Sequence, residues 1–273
     1  MMAILVFYFV PISEVFAASW NLEKGKSQFI ITNSFYQTEE FFDKTSNKKK
    51  QPEFTKFESD YLYEYGYNDY ITIGFHPRLQ RISQETSGKK LVDSGLSSLD
   101  AFARIGLIKK SNLLYKDDGF VFSLQPLLKL SPPNAKNKDF SVTSDQWDFE
   151  MRTLTGYSFK YFDNYHFVNA EMGYRLRDGE PSNEVFFDGT LGVRFRGTYM
   201  FLGQIFYTTS IQEDSNKSVS IANPLDYELT KVQFSVVKEI NKKYSLQLGV
   251  FKNIDGENTG VGNGGLLSLW INF

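Results

Sequence analysis

Cysteine is absent from this 273-residue sequence, and histidine is nearly absent, with only His76 and His166 in the whole chain. Without thiols there can be no disulfide scaffold, no thiol nucleophile and no thiolate metal site. The formal net charge is −2, so no basic surplus supports a nucleic-acid partner. We therefore expect no metal, no cofactor and no nucleic acid.

Long hydrophobic runs are also lacking. After residue 18, no stretch approaches the roughly 20 apolar residues that a transmembrane helix requires. The N-terminus alone is apolar, from Ile4 to Val10, and small residues at Val15 and Ala17 suit a signal peptidase. The sequence predicts a signal peptide at 1–18 and one domain at 19–273. Residues 20–25 alone precede the first predicted strand, and we expect this segment to be too short to plug a lumen.

Alternation of apolar and polar residues at period two dominates the rest of the chain. Val185, Phe187, Leu191 and Val193 alternate with charged residues such as Glu184, and similar segments recur to the C-terminus. This pattern is typical of strands with two different faces. About twelve strands are predicted, with uncertain ends, at roughly 26–42, 53–66, 70–84, 96–108, 119–131, 147–160, 165–177, 184–196, 198–212, 225–238, 244–254 and 264–273.

The connections between these strands alternate in length. Short ones are predicted at 66–69, 161–164, 197 and 239–243, whereas longer polar ones include 43–52, 84–95 and 131–146. Outer-membrane barrels have short periplasmic turns, longer extracellular loops and an even strand number. We predict an all-β fold, a closed antiparallel transmembrane β-barrel of about 12 strands in the outer membrane. The 26 Phe and 16 Tyr suit aromatic girdles at its two membrane interfaces.

Two prolines oppose this interpretation, because Pro77 and Pro126 fall within predicted strands. A closed barrel has no free edge at which a missing backbone donor is harmless. We expect a β-bulge at each of these positions.

The last residues carry a specific signal. Leu267, Leu269 and Ile271 alternate up to the C-terminal Phe273, which resembles the closing strand recognised by the barrel-assembly machinery. The segments 20–28 (WNLEKGKSQ) and 65–74 (YGYNDYITIG) resemble a broad group of mostly uncharacterised outer-membrane barrels. Some of these are found in aromatic-degradation operons and are regarded as transporters. The resemblance implies the fold, and it carries over no substrate or catalytic residue.

By strand parity, charged side chains of both signs face the lumen. The candidate lumen and constriction residues are Arg175, Arg177, Glu184, Asp188, Arg152, Glu150, Asp60 and Arg104. Parity also places Lys160, Arg194, Arg196 and Lys231 inside. The near balance of signs fits a structural ion-pair network. It fits equally well a narrow aqueous pore, and the sequence leaves both interpretations open.

Three functions follow in order of preference. The first is a passive channel for small solutes, and the second is a closed structural or surface-interaction barrel that acts through its outer loops. The third is a lipid-modifying hydrolase that uses His76 with Asp60 or Asp100. We expect outer-membrane lipids and lipopolysaccharide as surroundings, and Lys48, Lys49 and Lys50 in the first outer loop could attract lipopolysaccharide phosphates.

Overall fold

A computed structural model describes residues 19–86, 88–109, 119–133, 140–144, 146–178, 182–211 and 226–273. The predicted signal peptide lies outside these ranges. No helix within them has the length and apolarity needed to cross a membrane.

The strands form one closed antiparallel sheet of twelve long strands and one two-residue strand. They are β1 (Ser27–Phe42), β2 (Lys48–Asn68), β3 (Ile71–Thr86), β4 (Lys89–Lys109), β5 (Gly119–Leu130), β6 (Trp147–Tyr161), β7 (Asn164–Arg177), β8 (Glu184–Phe195), β9 (Tyr199–Ser210), β10 (Glu228–Glu239), β11 (Tyr244–Glu257), β12 (Thr259–Gly260) and β13 (Asn263–Asn272). Each long strand pairs with its neighbour in sequence, and β1 also pairs with β13, which closes the barrel. The predicted fold is confirmed.

The two faces of each strand differ as the alternation predicts. On β6, Trp147 and Met151 are exposed outside the barrel, at 51% and 41%, whereas Asp148 and Glu150 are buried inside. The apolar outer surface suits lipid, because apolar side chains incur no desolvation penalty in a bilayer. The polar residues that make the chain look soluble are therefore sheltered inside the barrel.

The start of β1, Phe273 and the turns β2–β3, β6–β7, β8–β9 and β10–β11 lie at one end of the barrel, here called the periplasmic end; the opposite end is the outer end. Ser27 and Phe273 bond backbone to backbone there. The turn between β6 and β7 has positive φ at Phe162 (45°) and Asp163 (58°). Two successive positive φ angles define the type I′ turn that matches strand twist.

Pro77 and Pro126 each lie where the pairing with one of the two neighbouring strands is interrupted. Pairing of β2 with β3 stops between Asp60–Arg78 and Tyr63–Phe75, opposite Pro77. A bulge between β3 and β4 follows Pro77 immediately, as expected. At Pro126, pairing of β4 with β5 lapses between Phe102–Leu127 and Ile105–Leu124 without a register shift. The expected bulge is therefore absent at Pro126, because an unbonded stretch already accommodates the missing donor.

Two predicted outer loops are instead continuous strand. β2 begins at Lys48 and pairs Lys50 with Glu40, so the lysine run at 48–50 lies in a ladder rather than in a loop. β4 begins at Lys89, with Ser87 and Gly88 alone separating it from β3. β2 and β4 each contain 21 residues, about twice a tilted membrane crossing. This side of the barrel extends beyond the membrane as a tall, solvated sheet.

Candidate functional site

The segment before β1 enters the barrel at its periplasmic end. Trp20 is 4% exposed and contacts a buried apolar cluster drawn from five different strands, Val121, Phe167, Met200, Leu202, Val237 and Trp270. The Trp20 and Phe167 rings meet edge to face at 6.0 Å. The indole therefore packs inside the lumen against β6 and β7.

Hydrogen bonds to the walls hold this segment in place. The Arg104 guanidinium donates to the Trp20 carbonyl oxygen at 2.9 Å, and the Ser123 hydroxyl donates to that of Ser19 at 3.0 Å. The Leu22 amide donates to the Thr72 hydroxyl at 2.8 Å. Since buried backbone groups need partners, these wall residues allow a non-strand segment to lie inside the barrel.

That this segment is too short to plug the lumen stays a prediction, but the sequence did not indicate that the segment enters the barrel. Its length is small, but a buried indole fills a large cross-section, and Gly156 on β6 leaves room for it. A Cβ at position 156 would collide with the Trp20 ring. The missed signal was a tryptophan in a stretch with no strand alternation.

Towards the outer end, the lumen opens into a cavity of about 730 Å³. Phe167 and Trp270, which belong to the cluster around Trp20, form part of its lining, so the N-terminal segment lies beneath its floor. Its acidic and basic lining residues are Lys56, Glu58, Asp60, His76, Arg78, Glu171, Asp188 and Lys231. The cavity thus has charged as well as apolar walls and is accessible from the outer side.

One wall carries an alternating chain of ion pairs, here called the charge chain. In order it runs Lys129, Asp148, Arg177, Glu184, Arg175, Glu150, Arg152 and Glu171. The Arg177–Glu184 and Arg175–Glu150 pairs each have N–O distances of 2.7 Å, and Arg175 also pairs with Glu184. Four cations and four anions alternate, so the wall is locally neutral and its members stabilise one another.

A second group of charges lies on β2, β3 and β4. Arg78 binds Asp100 at 2.6 Å and Asp60 at 3.5 Å, and His76 lies 3.4 Å from Asp60. Nearer the periplasmic end, Arg104 binds Glu64 at 2.6 Å. Arg104 therefore links the wall to the N-terminal segment.

The predicted constriction residues do not form one ring. Arg175, Arg177, Glu184, Glu150 and Arg152 all join the charge chain, and none of them lines the cavity. Arg104 and Asp60 belong to the second group, and Asp188 stands apart from both. Of the eight candidates, Asp60 and Asp188 alone line the cavity. A constriction at these residues stays a prediction.

Strand parity also places Arg194, Lys160 and Arg196 inside the barrel, and the structure confirms this for Arg194 alone of these three. Arg194 is buried in a pair with Glu239, as an inward residue should be. Lys160 instead pairs with Asp163 at the turn, with 52% of its side chain exposed. Arg196 is also exposed, in the turn after β8, with φ of 50°. Strand parity failed for these two because they lie at or beyond the end of the lumen.

Neither histidine has the surroundings of a hydrolase base. His166 bonds the Tyr161 carbonyl oxygen at 3.0 Å and the Arg194 amide at 3.3 Å, so both ring nitrogens serve the backbone. His76 does approach Asp60 and Asp100, as the hydrolase hypothesis requires, but both carboxylates also bind Arg78. Within the described ranges, no serine or threonine hydroxyl bonds to His76. The same ranges contain no cluster of metal-ligating side chains.

The outer end of the lumen has aromatic walls. Phe54, Ile82 and Val142 form a buried cluster with Phe140 and Tyr36 packed against it. Residues 140–144 from the β5–β6 connection contribute to this cluster, and the Val142 amide donates to Asp93 at 3.0 Å. Part of an outer loop thus folds against the inner side of the tall sheet.

Two groups outside the strands have shifted pKa values. Burial raises the pKa of Tyr227, and the nearby Glu184 carboxylate raises it further. In the turn after β1, hydrogen bonds from the Thr45 amide and hydroxyl lower the pKa of Asp43. The Asp43 bonds to the Thr45 and Asn47 amides, at 2.9 and 3.0 Å, organise that turn.

Comparison with solved structures identifies the fold. The COG4313 outer membrane channel from Pseudomonas putida F1 has a TM-score of 0.71 over 95% of this chain and 100% of that chain, at 12% identity. The NanC porin has a TM-score of 0.53, at 8% identity over 89% of this chain and 98% of that chain. The KdgM porin has a TM-score of 0.51, at 8% identity over 89% and 99%. By sequence, the chain matches no family model and no curated protein. The architecture is an outer-membrane β-barrel, and these neighbours are a channel and two porins rather than enzymes.

Proposed function

We propose that this protein is a passive outer-membrane channel for small polar or weakly amphipathic solutes, and that it is not an enzyme. The cavity of about 730 Å³ carries the proposal, because it provides space inside the lumen for a small solute. The barrel fold shared with a channel and two porins supports it.

The N-terminal segment sets the condition for conduction. Trp20 and its apolar cluster occupy the lumen beneath the cavity. Ions and solutes must therefore pass a narrow route beside the indole or wait for the segment to shift. We expect a small conductance in the resting state and a larger one once Trp20 is removed.

Planar-bilayer recording of the refolded mature chain tests this function. Discrete ohmic steps in the wild type are expected, and Trp20→Ala should raise the step size about twofold or more. Far-UV circular dichroism and heat-dependent gel migration confirm that both barrels are folded. A folded Trp20→Ala barrel with no conductance would reject the channel.

The second candidate is a sealed barrel that acts through its outer surface. The complete pairing within the charge chain and the buried Trp20 favour this alternative, because neither needs a water-filled path. In that case both barrels would be electrically silent. Deleting outer loops would then abolish partner binding.

The surroundings of the barrel follow from the same proposal. Outer-membrane lipids would contact the apolar exterior, and lipopolysaccharide phosphates would lie near the lysines at 48–50, which are exposed on the tall sheet. Phe273, 56% exposed at the chain end, would be read by the barrel-assembly machinery before it pairs with Ser27.

A further inference from the structure

Two charged side chains in the cavity, Asp188 and Lys231, lie outside the ion pairs of the described residues. Among its acidic and basic lining residues, Lys56 pairs with Glu58, Asp60 pairs with Arg78, and Glu171 pairs with Arg152. Asp188 and Lys231 form no ion pair within the described ranges, although they carry opposite charges and line the same cavity. In a barrel wall where pairing is otherwise the rule, one free charge of each sign needs an explanation.

These two charges flank a single aromatic ring. Across neighbouring strands, Asp188 on β8 is in register with Phe206 on β9, and Phe206 is in register with Lys231 on β10. All three line the cavity, and the Lys231 ammonium lies 4.1 Å from the centre of the Phe206 ring. The order across the wall is thus carboxylate, ring, ammonium.

Further rings continue from this trio towards the outer end. The Lys231 ammonium lies 5.7 Å from the Phe251 ring, and Phe251 stacks on Tyr36 with centroids 6.4 Å apart and planes 2° apart. Tyr36 in turn meets Phe54 edge to face at 6.3 Å. An apolar, stacking surface therefore leads from the outer mouth to the two free charges.

We propose that the cavity binds a zwitterionic solute with an aromatic body, of the aromatic α-amino acid type. Its carboxylate binds Lys231, its ammonium binds Asp188, and its ring lies along the surface formed by Phe206, Phe251 and Tyr36. The proposal names the solute class of the channel and so rests on the proposed function.

The spacing of the two charges supports a zwitterion. Their strands are two steps apart in the sheet, about 10 Å between backbones. Charge-assisted hydrogen bonds of about 2.8 Å at each end let an amino-acid headgroup bridge side chains that do not reach each other. A solute with one charge would satisfy one wall residue and leave the other unpaired.

Four probes separate the contributions of the two charges and the ring. L-Phenylalanine carries all three features, 3-phenylpropionate lacks the ammonium, phenethylamine lacks the carboxylate, and L-alanine lacks the ring. Saturation-transfer NMR on the full mature chain in lipid nanodiscs gives their apparent Kd values, with empty nanodiscs correcting for partition into lipid. L-Phenylalanine should bind about tenfold more tightly than each other probe, as one charge-assisted bond or one stacked ring predicts.

Substitutions of Lys231 and Asp188 test which end of the solute each residue binds. Lys231→Gln should reduce L-phenylalanine to the affinity of phenethylamine, and Asp188→Asn should reduce it to that of 3-phenylpropionate. Lys238→Gln is the matched control, because Lys238 is on the same strand but faces outwards over Tyr199. It should leave all four affinities unchanged.

Equal binding of L-phenylalanine and the singly charged probes to the wild type would overturn the proposal without any variant. An unchanged affinity in folded Lys231→Gln and Asp188→Asn barrels would overturn it as well. Binding is measured at equilibrium and does not depend on conduction. A barrel that binds as expected but passes no current would reject the channel and keep the site.

Discussion

Glu184 is a buried member of the charge chain with two arginine partners, so its neutralisation tests whether that chain stabilises the barrel. Its side chain is 1% exposed and pairs with both Arg175 and Arg177. Glu184→Gln keeps the shape and removes the charge. Breaking one partner out of a buried pair costs about 3–5 kcal/mol.

Both arginines keep another carboxylate partner after this substitution. The expected loss of unfolding free energy therefore lies at the low end of that range. Arg175 keeps Glu150 at 2.7 Å, and Arg177 keeps the more distant Asp148 at 4.0 Å. We therefore expect a loss of about 3 kcal/mol in the free energy of unfolding, roughly a hundredfold change in the unfolding equilibrium constant. Urea titration of the barrel in lipid vesicles, followed by tryptophan fluorescence, measures it.

The control is an ion pair that is exposed to water, whereas the ion pairs of Glu184 are buried. Asp163 pairs with Lys160 at 3.6 Å, but its side chain is 99% exposed at a turn. Asp163→Asn should leave the unfolding free energy unchanged, because water screens such a pair. Arg177→Gln should also cost less in the Glu184→Gln background than alone, since the two share one interaction. Equal, small effects of Glu184→Gln and Asp163→Asn would refute the structural role of the chain.

Two further predictions concern the packing of Trp20 and the lipid-facing surface. Gly156→Val should displace the Trp20 ring, since a Cβ there collides with it, and so raise single-channel conductance as Trp20→Ala does. Gly203→Val, at a glycine with open space around it, should leave conductance unchanged; equal effects would show that Trp20 does not limit the current. Met151→Arg places a charge on the exposed outer face and should cost up to about 2–4 kcal/mol in vesicle unfolding. Lys44→Arg in the β1–β2 turn introduces the same side chain without adding a charge and should cost nothing measurable, and a harmless Met151→Arg would contradict a lipid-facing β6.

The membrane-crossing parts of the strands were predictable because lipid and lumen impose opposite demands on alternate residues. Phe187 must face outwards if Glu184 and Asp188 face inwards, whatever the neighbouring strand contains. Beyond the membrane this demand ends. Lys48–Lys50 and Lys89–Gly95 therefore looked like loops, although pairing with β1 and β3 keeps them in the sheet.

The site was less predictable than the fold, because parity gives the face of a residue but not its partner. Asp188 was grouped with Arg175 and Arg177, yet it lies four residues further along β8 than Glu184, which takes both arginines. The burial of Trp20 inside the barrel could not be predicted from the alternation of apolar and polar residues. A segment without alternation has no sequence rule that places it inside or outside a barrel.

The closure of β1 on β13 has a consequence for biogenesis. Gln28 pairs with Asn272, so the first strand to leave the ribosome finds its second neighbour only when the last strand has been made. Until then every intermediate keeps two unsatisfied edges, which lipid cannot tolerate and which invite aggregation. A chain truncated before β13 would thus be unable to close the ring in this way. The pairing of β1 with β13 therefore makes closure of the barrel depend on synthesis of all its strands.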